Sequence, residues 1–471
     1  MLTATTRTLL ALSLPLAFAG CAQLQPDAGL GRVQQETQTR LPAAALPALA
    51  WDRGPATAEQ RRAQVQALLD EPLTADTAVR IALLNNGELQ ARFAELGLAD
   101  ADRVIASRLP NPALILARQV QGASVEINRS FLFDLLSLFT LPARRDIATR
   151  RYQESQLATA AAVMALATET RKAWYDAVAA AQTSRYLGQV KEAADAAAEL
   201  ARNMANVGNM SRRDALQEQV FYAEAAAQRE EAQAAETAAR ERLIRLMGLW
   251  GQQTAFQLPE RLPDLPRHPE LRSEVEAIAM RDRLDVLMAK REIEGLAKSL
   301  GLTRTTRYIN VLDVGYLNNS FNDQPHQTGT EVGLLLPLFD WGEARNARAE
   351  ALYLQALART RDLAVRARSQ AREAYVRYRT AYDLAEAYRK VIVPLRKQIG
   401  EENLLRYNGM LISVFELLSD SRAQILSANA AIRAQRDYWK ADADLQNALA
   451  GASPRFDALS LARLAQGASS H

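Results

Sequence analysis

Chemistry needs groups that titrate, ligate or attack, and this sequence of 471 residues places very few of them together. Its three histidines, His268, His326 and His471, have no Cys or second His at metal-ligand spacing. Neither a Gly-rich phosphate loop, a Gly-x-Ser-x-Gly elbow nor a His-Glu-x-x-His helix occurs. Met204, Met210 and Met410 are dispersed and read as packing residues rather than a metal relay. Asp214, Glu416 and Asp420 lie in the opening turns of the helical stretches that follow Gly208 and Gly409. Any one of them is also at home in a first helical turn, where the dipole favours negative charge. No catalytic constellation follows, so the sequence predicts a non-enzyme with no metal. The net charge of +3, with Lys and Arg scattered along the chain, argues against a nucleic-acid partner.

The lone cysteine is different because of what precedes it. Arg7 supplies a positive n-region, and Leu9 to Phe18 form an apolar run too short to span a bilayer. Phe18-Ala19-Gly20-Cys21 then resembles a bacterial lipoprotein signal. That resemblance implies removal of residues 1–20 and a covalent lipid on Cys21 as the only attached group. Ala22, standing where Asp would retain the protein at the inner membrane, implies sorting to the cell outer membrane. The alternative is an ordinary signal peptide with an incidental Cys.

The elements that must position these residues are mostly helical. The apolar content, 48%, is rich in Ala interleaved with Arg, Glu, Gln and Leu, while aromatics make up only 6%. Residues 21–72 carry five prolines and read as an extended tether with a short helix near Ala58–Leu69. Thr74 is a plausible N-cap, and apolar residues from Val79 to Val104 keep helical spacing until Pro110 and Pro112. Val125, Ile127, Phe131, Phe133 and Leu135 then alternate with polar residues, and Leu114–Val120 precedes them across Gly122, which predicts a β-hairpin. Pro142 suits a first helical turn, and a long helix follows to about Val207. Gly208 interrupts it before a helix from Ser211 to about Leu249.

The second half repeats the programme: a helix from about Pro269 to Leu300, strands over Arg307–Leu317 and Gly329–Phe339, a long helix from Gly342 to Tyr407, an interruption at Gly409, and a last helix to about Gly451. Tyr152 falls on Tyr353, Trp174 on Tyr375, Gly208 on Gly409 and Leu216 on Leu417, a displacement of about 201 positions. Internal duplication follows, with repeats over 73–260 and 261–452 and a C-terminal tail over 453–471. Trp174, Tyr175, Tyr375 and Tyr378 read as inter-helix packing. The long helices, at ~1.5 Å per residue, reach about 100 Å, so each pair of shorter helices must lie end to end to match one. Each strand has the length that crosses a bilayer when tilted. Four strands cannot close a barrel, and an open edge is not tolerated in lipid, so the chain must oligomerise if the sheet spans a membrane. The bland reading of the hairpins is a small soluble β-layer capping a bundle.

At this point the chain resembles the outer membrane factors, the TolC-like exit ducts of tripartite efflux pumps and type I secretion systems. The residues that carry the likeness are Leu73-Thr74, Arg108-Leu109-Pro110-Asn111-Pro112, the junction Gly333 to Gly342, and the two turns Val207–Asp214 and Tyr407–Leu418. The resemblance implies a mainly α protein with a small β part, in which a long antiparallel helical barrel is joined to a transmembrane β-barrel completed by trimerisation. It implies a passive homotrimeric channel, partnered by a periplasmic adaptor and an inner-membrane pump and anchored in outer-membrane lipid. Its closed end would be the tips at Gly208 and Gly409, ringed by Asp214, Glu416 or Asp420. Heavy-metal, drug and protein cargo all remain open, as does a non-channel periplasmic scaffold. Two departures stand out. Glu416 lies seven positions after Gly409 whereas Asp214 lies six after Gly208, so the second tip reads one residue longer. The first repeat lacks the Asp340-Trp341-Gly342 of the second.

Overall fold

The computed structural model describes residues 23–270, 274–309, 311–335, 337–412 and 414–451. The proposed signal segment and Cys21 lie outside them, as do 452–471. Described elements run α1 (Leu30–Gln38), α2 (Pro55–Leu69), α3 (Ala75–Asn85), α4 (Gly87–Ala106), β1 (Ala113–Gln121), β2 (Ser124–Asp134), α5 (Leu135–Asn206) and α6 (Arg212–Met247). The second series is α7 (Val275–Asp282), α8 (Leu284–Thr305), β3 (Leu312–Phe321), β4 (Gln327–Leu334), α9 (Glu343–Ala387), a π turn (Tyr388–Ile392), α10 (Val393–Asn408) and α11 (Val414–Ala450). The same order of broken helix, hairpin, long helix, turn and helix thus occurs twice. Two compact units cut across this repeat. Among the described residues, one takes 23–33, 93–159 and 286–364, the other 34–92, 160–285 and 365–451.

In the first unit the four strands form one antiparallel sheet in the order β1-β2-β3-β4. The first hairpin forms where the alternation predicts it. The second is shifted: β3 begins at Leu312 and continues through Asn318–Phe321, where a loop is expected, and β4 ends at Leu334. Asn318, Asn319 and Ser320 read as loop by composition, yet each pairs with a residue of β2. Pairing across the sheet outweighs their weak strand propensity. A further difference concerns Pro142, which sits inside α5 rather than in its first turn. The helix starts seven residues earlier because Asp134 caps it, accepting from Ser137 N at 2.9 Å.

Residues 23–33, expected as part of an extended tether, are folded. Asp27 carboxylate oxygens accept from the backbone N–H of Gly29 and Gly31. The Tyr152 hydroxyl donates toward Ala28 O at 3.0 Å, and a Cβ on Gly29 would collide with that hydroxyl. Burial pushes the Tyr152 hydroxyl up to about 12. Val33, Leu30 and Ala28 are all buried. The α1 helix is absent from the sequence reading, since nine residues between Gly29 and Pro42 give too short a periodic signal.

In the second unit Thr74 caps α3 as expected, accepting from Thr77 N at 3.1 Å. One continuous helix to Arg108 does not form, because the chain breaks at Asn86, whose ψ is 122°. Asn86 Oδ1 accepts from Leu89 N and so caps α4. The break receives the end of α6: Asn85 Nδ2 donates to Gly248 O at 2.7 Å and Asn86 Nδ2 to Leu246 O at 3.0 Å. Terminal carbonyls with no intrahelical partner thereby gain donors. The second repeat solves the same problem with different chemistry. Its expected helix breaks at Arg283, ψ 127°, and Arg283 Nη1 donates to Ala448 O near the end of α11. Arg283 and Asp285 are buried together at 2.7 Å, and Gln370 Oε1 takes a further bond from Arg283. Around these joints lie two apolar clusters, one about Trp174, Leu243 and Met247, the other about Tyr378, Tyr382 and Tyr438. Tyr175 stacks on Trp439 with centroids 5.6 Å apart, which links the repeats.

Candidate functional site

The sheet has two unlike faces, and strand pairing fixes which residues share each. One face carries Leu312 with Leu334, then Phe133, Val314 and Val332, then Leu114, Phe131, Tyr316 and Thr330. Toward the turns follow Leu116, Arg129, Asn318 and Thr328, then Arg118, Ile127 and Ser320, then Val120 and Val125. No Asp or Glu lies on this face. The opposite face holds all the acids of the strands, Glu126, Asp134, Asp313 and Glu331, with Gln119, Asn128, Ser130, Asn319, Gln327, Gly315, Gly329 and Gly333, and with the apolar residues Ile115, Leu132, Leu317 and Phe321 among them. An alternation of apolar and polar faces on strands of 8 to 11 residues is the pattern of a wall between lipid and water. At the helix end of the sheet, Tyr308, Phe339, Trp341 and Phe139 are all exposed, Phe339 completely. Aromatic rings of this kind favour a membrane interface. Among the described residues neither outer edge, β1 or β4, has a further strand partner. No described helix is long and apolar enough to cross a membrane.

The two tips are turns between long helices in the second unit. At the first, Gly208 adopts φ 80°, and Asn209 N donates to Met204 O at 2.8 Å, closing α5 with a left-handed cap. Ser211 caps α6 by accepting from Asp214 N. At the second, Leu411 N donates to Arg406 O at 2.9 Å, an equivalent bond, but the left-handed residue is Met410, φ 58°. Gly409 stays on the helical side, with φ −81°. Met410 is therefore the counterpart of Gly208. Glu416 then lies six positions after it, as Asp214 does after Gly208, and the expected extra residue in the second tip disappears. The sequence misleads because it invites alignment of glycines, whereas backbone conformation aligns Gly208 with Met410.

That register also pairs Glu218 with Asp420, one turn beyond Asp214 and Glu416. Asp420 is largely buried and lies 3.8 Å from Arg396. Glu218 is 2% exposed and was not singled out by sequence, although its spacing of four from Asp214 places it on the same helical face. Its Oε1 lies 3.5 Å from Arg422 Nη2, while its Oε2 is buried without a hydrogen-bond partner. Burial holds its carboxyl above the usual range and Arg422 opposes that shift. The Arg422 guanidinium also lies 4.3 Å above the Phe221 ring. Asp214 is partly exposed and Glu416 exposed. Among the described residues no group of three His, Cys, Asp or Glu could hold a metal ion.

No protein-family model matches the sequence, and no curated protein matches it. Solved structures do. A membrane protein from Pseudomonas aeruginosa superposes with TM-score 0.67 at 20% identity, over 83% of this chain and 90% of that one. The outer membrane protein VceC of Vibrio cholerae gives TM-score 0.67 at 17% identity, covering 84% and 98%. The Neisseria gonorrhoeae MtrE outer membrane channel, in its open state, gives 0.66 at 18%, covering 83% and 89%. With its paired hairpins, long helices and duplicated element order, the chain has the TolC-like fold of the outer membrane factor channels.

Proposed function

We propose that this chain is one protomer of a trimeric outer-membrane exit duct of an efflux system. The observation that carries the reading is the two-faced, open-edged sheet, whose strand β2 runs straight into the long helix α5. Edges left unpaired in lipid would expose backbone donors and acceptors at a cost of several kcal/mol each. Copies must join edge to edge, and three copies supply twelve strands. The polar face then lines a water-filled bore and the apolar face meets lipid. Substrate would pass unmodified, with no step of bond making or breaking. A periplasmic adaptor and an inner-membrane pump would supply recognition and energy. Opening would occur at the tips, where the Glu218–Arg422 pair joins α6 to α11 and must part if those helices move apart. A lipid on Cys21 would anchor each protomer.

Planar-bilayer recording on the purified full chain tests this reading. Trimers with stepwise conductance, increased by Arg422→Glu, are expected. Trimers that never conduct, even with Asp214, Glu416 and Glu218 neutralised, would replace the duct by a periplasmic scaffold. Intact mass of the membrane-extracted protein tests the anchor, which requires a start at Cys21 with added acyl mass.

A further inference from the structure

The two arginines on the apolar face of the sheet are not explained by a wall against hydrocarbon. Arg118 and Arg129 stand on adjacent strands as diagonal neighbours on one face, so their backbones lie ~7–8 Å apart, a separation that two arginine side chains are long enough to span. Arg118 is exposed. Arg129 is half-buried and held in place, since its Nη1 donates to Ser320 Oγ at 2.8 Å and Asn318 Oδ1 at 3.3 Å. The acids of the strands are all on the other face, and Asp323 in the β3–β4 turn forms no ion pair with either arginine. Neither arginine makes an ion pair among the described residues. His326 extends the polar patch, with Nε2 3.1 Å from Asn318 Nδ2. Beneath the pair, toward the helices, come the rows of Leu114, Phe131, Tyr316 and Phe133.

A charged side chain on a lipid-facing strand is least tolerated at the bilayer centre and best tolerated near an interface. The patch occupies the turn end of the sheet, opposite the aromatic residues at the helix end. Two uncompensated guanidinium groups above an apolar wall match a ligand with an anionic head and acyl chains. Arginine's planar fork suits phosphate in particular. We propose that Arg118 and Arg129, with Asn318, Ser320 and His326 around them, bind the phosphate of a phosphorylated lipid in the outer leaflet, with its chains lying along the Leu114–Phe131–Tyr316 rows. This site rests on the duct reading, which places the apolar face in lipid.

The test uses the full chain reconstituted into phosphatidylcholine vesicles with or without a diphosphorylated glycolipid, followed by mass spectrometry of the lipid retained after extraction. Wild type retains the phosphorylated lipid selectively, and inorganic phosphate does not displace it. Arg118→Gln with Arg129→Gln lowers retention by about tenfold or more. Arg118→Lys with Arg129→Lys, which keeps the charge, loses less, and Arg229→Gln on α6 changes nothing. Equal retention by wild type and the Gln pair overturns the site, as does displacement by phosphate alone, which marks a plain anion site. If the Gln pair does not assemble, wild type decides the matter by its preference between the two vesicle compositions, and no preference overturns the proposal. Insertion and conductance without lipid selectivity remove this site alone; failure to insert into either vesicle removes the duct reading.

Discussion

Glu218 is the side chain on which packing at the first tip and the proposed opening would both depend. Its carboxyl is buried beside a single arginine, with one oxygen unpartnered, so ionisation is unfavourable in the folded tip. A folded-state value raised above the unfolded one contributes stability below the unfolded value, and this is lost as pH rises through the folded value. The tip should therefore be tightest in acid and loosen as pH climbs above the ordinary glutamate range. Arg422 moderates this change. We expect hydrogen exchange of tip amides to quicken with pH beyond the intrinsic rate, and Glu218→Gln to flatten that dependence. A tip whose protection is independent of pH in the wild type would contradict this assignment.

At the scale of elements, the tips show that backbone conformation, rather than residue identity, sets equivalence. A non-glycine residue in the left-handed region costs ~1–2 kcal/mol, and Met410 carries that strain while being 93% exposed, so no side-chain packing offsets it. Gly409, one position earlier, has the opposite mismatch, since its freedom is unused. Met410→Gly should stabilise the second turn by about 1 kcal/mol, and Gly409→Ala by about 0.5–1 kcal/mol, because a Cβ there meets its nearest neighbours at 3.5 Å. Gly208→Ala should do the reverse. Rates of limited proteolysis between Tyr407 and Val414 would report the change. The helix breaks teach a similar lesson. Asn86 and Arg283 are different residues, yet each turns the chain where another helix ends and offers that end a donor.

For the whole molecule, the proposed trimer would repeat three times whatever the tips carry. Asp214 and Glu416 occupy matching positions in the two repeats, so a trimer would hold six such carboxylates at its tips. Like charges arranged in rings raise the local concentration of cations and repel anions. Asp214→Asn with Glu416→Gln should lower cation-over-anion selectivity, measured as a reversal-potential shift in a salt gradient. An unchanged reversal potential would mean that these acids lie off the conducting path and serve as first-turn residues of α6 and α11.

Several features follow from the sequence by itself. Period-two alternation in 124–134, helical spacing over long Ala-rich runs, the Thr74 cap, the helix start at Ser211 and the duplicated order all depend on local chemistry, which neighbouring residues determine. The resemblance to outer membrane factors, rather than spacing alone, singled out Asp214, Glu416 and Asp420. Features set by distant partners required the tertiary structure. The strand through Asn318–Phe321 exists because β2 lies beside it, and the break at Arg283 because α11 ends there. Residues 23–33 fold because Tyr152 closes over Gly29. Glu218 becomes special only when Arg422, some 204 positions away, packs against it. A sequence records what each residue prefers; burial, pairing and the alignment of Met410 with Gly208 depend on contacts made across the fold.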